Sequence, residues 1–204
     1  MDENNLIKVI EEGYKRRIRH FECEKKMYDI VIVGDSMAAY LNTHHYFKNI
    51  SIMNQGIPGD TTEGLSKRLD YVFKVSPKII FLNIGSNDLV LLHKKPIEIV
   101  ESIIYLIQRI KSELKEVKIY LFNVTPINET VEYANHLYIF GRKNEDIIEI
   151  NDLLNKRLPD DMLIDIYHEV VDEHDKLKTS FTNDGIHLND LGYAIYTQLM
   201  KAHL

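Results

Sequence analysis

The stretch Tyr28-Asp29-Ile30-Val31-Ile32-Val33-Gly34-Asp35-Ser36-Met37 decides the fold. Four β-branched residues in succession, with no polar position between them, describe a short strand buried on both faces. Gly34 ends it, and Asp35-Ser36 is the chemistry of a turn or a helix cap. On the N-terminal side, Leu6, Ile10, Tyr14, Ile18 and Phe21 recur at three- to four-residue intervals. That spacing predicts a helix over Leu6 to Lys26 with one apolar stripe.

On the C-terminal side the same alternation continues. Strands are predicted at Ile50 to Met53, Lys78 to Asn83 and Val117 to Phe122, with a weaker fifth at Met162 to Ile166. Amphipathic helices are predicted at Glu63 to Phe73, Pro96 to Leu114, Asn144 to Leu158 and Asp190 to His203. Pro96 suits a first helical position. Strands alternating with helices imply right-handed βαβ units and a parallel sheet covered on both sides. The expected fold is a three-layer α/β/α sandwich on a five-stranded parallel sheet. With no repeat or linker in sight, it is expected to form one domain over residues 1–204, the first 26 being an N-terminal helical extension.

Composition narrows the function. Hydrophobic residues at 45% and charged residues at 27% are those of an ordinary globular chain. The net charge of −6 disfavours a nucleic-acid partner. The basic run Lys15-Arg16-Arg17-Ile18-Arg19-His20 is answered by Glu11, Glu12, Glu22 and Glu24, as on a solvated helix face. Cys23 is the sole cysteine, so no internal disulfide is expected, and a reduced cytoplasmic setting follows. No signal peptide or apolar span long enough for a membrane is apparent. His44-His45, His93, His136, His168 and His174 lack metal-ligand spacing, so neither metal nor cofactor is expected. A nucleotide binder is disfavoured, because no phosphate-binding glycine motif appears.

In open parallel sheets ligands bind at the carboxyl ends of the strands. The first strand leads to Gly34-Asp35-Ser36, the second to Gly56-Ile57-Pro58-Gly59-Asp60-Thr61, and the third to Gly85-Ser86-Asn87-Asp88. Asp184-Gly185-Ile186-His187 stands directly before the last helix. A serine at a helix N-terminus, an asparagine amide and a carboxylate three residues from a histidine are parts that acyl transfer can use. Each segment alone also reads as plain turn or cap chemistry.

Taken together, in this order, the four segments resemble the SGNH (GDSL-type) esterase and lipase family, over roughly Tyr28 to Leu204. Met37 stands where the family name has leucine. The resemblance implies a flavodoxin-like SGNH hydrolase fold, Ser36 as nucleophile, Asp184 and His187 as acid and base, and no cofactor. It implies oxyanion donors from the Ser36 N–H, the Gly59 N–H and the Asn87 side chain, with Gly56 the other candidate for the second. Asp35 and Asp88 are expected to be structural, bonding backbone N–H groups. The segment Thr125 to Gly141 should overhang the site, where Tyr133, Tyr138 and Phe140 either line a pocket or cover the core. The expected substrate is a small-molecule ester with a short acyl or acetyl group, an acetylated sugar included. An acyltransferase, a thioesterase or lysophospholipase, and a silent binding module stay open, as does a homodimer.

Overall fold

The structure is a computed structural model. It describes the backbone of residues 3–204 and, except for Leu137, the side chains from residue 11 onward. Helix α1 (Glu3–Cys23) precedes β1 (Ile30–Gly34), which runs into two short helices, α2 (Ser36–Ala39) and α3 (Thr43–Tyr46). Then come β2 (Ile52–Gly56), α4 (Thr62–Lys67), α5 (Leu69–Lys74), β3 (Ile79–Asn83), α6 (Ser86–Leu91) and α7 (Pro96–Glu113). The chain continues through β4 (Lys118–Phe122), α8 (His136–Ile139), α9 (Asn144–Arg157), β5 (Leu163–Ile164), α10 (Tyr167–Val170) and α11 (Asp190–Lys201).

The five strands are parallel in the order β2-β1-β3-β4-β5. Every residue of β1 is buried, because the alternate faces of the strand enter two different cores. Val31 and Val33, with Ile80, Leu82 and Leu121, pack under α1, α5, α7 and α9. Ile30 and Ile32, with Phe81 and Phe122, pack under α2 and α11. This is the two-sided burial that a parallel sheet requires. Of the N-terminal stripe, Tyr14, Ile18 and Phe21 rest on the first of these cores; the side chains of Leu6 and Ile10 lie outside those described.

The order places β1 second from one edge, with β2 on one side and β3 on the other. The chain reverses its winding there, and the carboxyl ends of β1 and β3 diverge into a crevice. Gly34 holds the adjoining backbones close. It sits at φ +148°, and a Cβ added there would fall 1.7 Å from the Asn83 carbonyl oxygen. No other residue fits at this point.

Four elements depart from the sequence expectation. The second strand begins and ends later than Ile50 to Met53, because Asn54 and Gln55 are accommodated within it. Asn54 Nδ2 donates to the carbonyls of Ala38 and Leu41, and Gln55 Nε2 donates to that of Tyr71. The helix expected over Glu63 to Phe73 breaks at Arg68, whose side chain turns inward to Asp60 and the Gly34 carbonyl. The fifth strand shrinks to two residues. Asn123 Oδ1 accepts from the N–H groups of Ile166 and Tyr167 and bends the chain into α10. The first helix already includes Glu3, ahead of Leu6, and stops at Cys23, short of Lys26.

Candidate active site

Ser36 opens α2 immediately beyond β1. Asp35 caps that turn, its Oδ1 accepting from the Met37 N–H at 3.0 Å. Burial pushes the Asp35 carboxyl up to about 7, an effect that the hydrogen bond from the Met37 N–H and the nearby Arg142 guanidinium offset only in part. From the other end of the chain, His187 lies just before α11, where Asn189 caps the helix through the N–H groups of Leu191 and Gly192.

The structure brings Ser36, Asp184 and His187 together. His187 Nε2 is 3.0 Å from Ser36 Oγ, and His187 Nδ1 is 2.7 Å from Asp184 Oδ2. Asp184 Oδ1 also accepts from the backbone N–H of His187 at 2.8 Å and of Ile186 at 3.0 Å. Burial opposes the Asp184 charge, but the hydrogen bonds from the His187 ring and backbone outweigh it and hold the carboxylate down at about 2. With Nδ1–H facing the carboxylate, Nε2 is the nitrogen left to accept a proton from the hydroxyl. The ring is held edge-on between Tyr40 and Tyr138, at centroid distances of 5.0 and 5.6 Å.

Gly59 and Asn87 line a cavity of about 110 Å³ together with Ser36, Tyr40, Tyr138, Arg142 and His187. Of the two candidate glycines, Gly56 has its N–H taken by Asn54 Oδ1 at 2.9 Å. Among the described residues nothing accepts from the Gly59 N–H. Gly59 sits at φ +79°, a left-handed turn that aims the loop at the cavity. Thr61 caps the helix that follows, accepting from the Gly64 N–H at 3.1 Å. Asp60 instead pairs with buried Arg68 at 2.7 Å. Asn87 Nδ2 donates to the Asp60 carbonyl at 2.9 Å. Asp88 accepts from the Thr62 N–H at 3.0 Å and from its hydroxyl, tying α6 to the start of α4.

The segment from Thr125 to Gly141 does overhang the site. It is latched to the His187 loop where the Asn128 N–H donates to the Gly185 carbonyl and the Asn135 N–H to that of Asp184. Of its three aromatic residues only Tyr138 lines the cavity. Tyr133 and Phe140 are 75% and 83% exposed, since neither packs on a neighbouring element.

One residue at the site carried no sequence signal. Arg142 follows the segment singled out above and reaches back beneath the cavity. Its guanidinium donates to Asn87 Oδ1 at 2.6 Å, to Ser86 Oγ at 3.0 Å and to the Tyr138 carbonyl. Burial pulls its pKa down to about 10, which still leaves it charged at neutral pH. Only the fold, by bringing the start of α9 against α6, reveals it.

A parallel sheet in this order, with serine, histidine and carboxylate in line beyond its carboxyl edge, defines an α/β hydrolytic enzyme. Residues 32–195 match the model of the GDSL-like Lipase/Acylhydrolase family. The chain belongs to that family and is a carboxylic ester hydrolase. It is similar to a solved structure from Streptococcus pneumonia named for platelet activating factor, with 26% identity and TM-score 0.82, covering 98% of this chain and 95% of that one. A GDSL-like lipase from Bacteroides thetaiotaomicron shares the fold at 21% identity and TM-score 0.75, covering 94% of this chain and 96% of that one. The chain is also 26% identical over 175 residues to the N-acylneuraminate cytidylyltransferase of Escherichia coli. That match takes in 82% of this chain but spans only 38% of the relative's length. No helix among the described residues is long and apolar enough to cross a membrane.

Proposed function

We propose that the protein hydrolyses small carboxylic esters, carrying short acyl or O-acetyl groups, through a covalent acyl-enzyme. The observation that carries this reading is the continuous chain of hydrogen bonds from Asp184 through His187 to Ser36. His187 Nε2 removes the Ser36 proton as Oγ attacks the ester carbonyl, and the carbonyl π electrons move onto oxygen. That oxyanion is met by the N–H groups of Ser36 and Gly59 and by the Asn87 amide. The intermediate collapses, the C–O bond to the alcohol breaks, and His187 returns its proton to the leaving oxygen. Water then repeats the sequence, releasing the acid and restoring Ser36.

A short acyl group suits the space. Beside Ser36, toward Asn83, Asn123 and Thr125, lies a second cavity of only about 20 Å³. The wider cavity borders His187, the group that protonates the leaving alcohol, so the larger part of the substrate belongs there. Tyr40 and Tyr138 flank that space and could face a sugar ring, and the E. coli relative is named for an N-acylneuraminate. The test is hydrolysis of p-nitrophenyl esters from acetate to octanoate by the wild type and Ser36→Ala, with O-acetylated sugars as a second panel. Activity that peaks at the shortest chains and vanishes in the variant is the expected result. Equal rates in both proteins remove Ser36 from the reaction.

A further inference from the structure

We propose that Arg142 is a positioning residue of the oxyanion site, fixing which way the Asn87 amide faces so that substrate meets its N–H and not its carbonyl. This rests on the reading of Asn87 as an oxyanion donor. The two ends of an asparagine amide are almost the same shape, so its orientation is decided by its partners. A guanidinium can only donate and a backbone carbonyl can only accept. With Arg142 2.6 Å from Oδ1 and the Asp60 carbonyl 2.9 Å from Nδ2, one orientation satisfies both neighbours. A flip would set N–H against guanidinium and oxygen against oxygen, in a place where all three residues are buried.

The amide nitrogen carries two hydrogens, and Asp60 takes one. The second is left for the cavity that Asn87 shares with Ser36. Remove Arg142, and Oδ1 loses its charged donor and the penalty for flipping falls. A flipped amide would turn lone pairs toward a developing negative charge. The arginine is itself held at two further points, by Ser86 Oγ and by the Tyr138 carbonyl. Ser86 belongs to the same turn as Asn87, and Tyr138 to the wall beside His187. One side chain thus locks the amide and fastens the wall to it.

The experiment is a double-mutant cycle on p-nitrophenyl acetate with Asn87→Ala, Arg142→Ala and the pair, with Arg142→Lys as the milder variant should alanine not fold. Arg142→Ala is expected to lower kcat by about 10- to 100-fold with KM within about threefold, a loss below that of a whole oxyanion donor. On the Asn87→Ala background the same change should cost less than about threefold, because the amide it orients is gone. Millimolar guanidinium should restore part of kcat to Arg142→Ala and none to the double variant. Arg142→Lys should show the same non-additivity with a smaller loss. Losses that multiply in the double variant, or a raised KM with unchanged kcat, overturn the proposal. If Asn87→Ala alone keeps its rate within about threefold, it is the oxyanion reading itself that fails.

Discussion

His187 Nε2 stands 3.0 Å from Ser36 Oγ, although 151 positions separate the two residues in the chain. The distance is set at both ends by caps: Asp35 fixes the turn that carries the serine, and Asp184 accepts from both the ring and the backbone of the histidine. Asp184→Asn leaves the outline of this arrangement but no longer dictates the tautomer. It is expected to lower kcat by about 10³–10⁴, as the loss of such a carboxylate does in serine proteases, with little change in KM. Because Asp184 is held at about 2, its own protonation should not shape the rate profile above about pH 4. A loss of less than about tenfold would remove Asp184 from the proposed triad.

The spacing of Asp184 and His187 was visible in the sequence, but spacing did not single them out. Asp165 and His168 have the same separation and an equally short contact of 2.6 Å, yet both are largely exposed and lie after the edge strand. What separated the two pairs was the order of four segments, three at strand ends and one before the last helix, and that order is one-dimensional information. The central strands were legible for a similar reason: two-sided burial leaves an unbroken apolar run. Arg68 and Arg142 were not legible. Each is a cation directed into the protein toward a partner brought near only by folding, and apolar periodicity places such residues on the surface by default. Nor did the aromatic residues of the overhanging segment carry any period to tell Tyr138, which faces His187, from Tyr133 and Phe140.

Asp35 makes stability depend on pH in a direction opposite to most carboxylates. Its folded value of about 7 lies above the ordinary 3.8, so the native state holds the proton more tightly than the unfolded chain. The stabilising contribution is therefore complete below the unfolded value and is lost as pH rises through about 7. Asparagine cannot titrate, but its oxygen can still accept from the Met37 N–H. The melting temperature of Asp35→Asn relative to wild type should climb between about pH 4 and pH 7 and level off above that. A difference that stays flat across that range would mean that Asp35 titrates as an ordinary carboxylate.

Arg68 and Asp60 form an ion pair whose side chains are 2% and 1% exposed. Burial still pushes the Asp60 pKa up despite the arginine, so the carboxylate depends on its partner. Arg68→Met leaves that charge buried alone and also strips a donor from the Gly34 carbonyl. The expected loss is about 3–5 kcal/mol, read from urea unfolding. Adding Asp60→Asn should recover part of it, since no unpaired charge then remains. If Arg68→Met costs less than about 1 kcal/mol, solvent reaches the pair and its contribution is that of a surface bridge.

Gly59 permits a test of the second oxyanion donor that retains the N–H group but shifts its direction. At φ +79° an alanine is strained by about 1–2 kcal/mol, because its Cβ crowds the adjoining carbonyl. Asparagine enters this region more readily, so Gly59→Asn should unfold at a higher temperature than Gly59→Ala. If the Gly59 N–H meets the oxyanion, the strained alanine peptide turns it off line, and kcat should fall by about tenfold or more while KM changes less. Asparagine should then retain more turnover than alanine, in the same rank as the melting temperatures. Should both variants turn over at the wild-type rate while alanine still lowers the melting temperature, the glycine serves the turn alone and the second donor lies elsewhere.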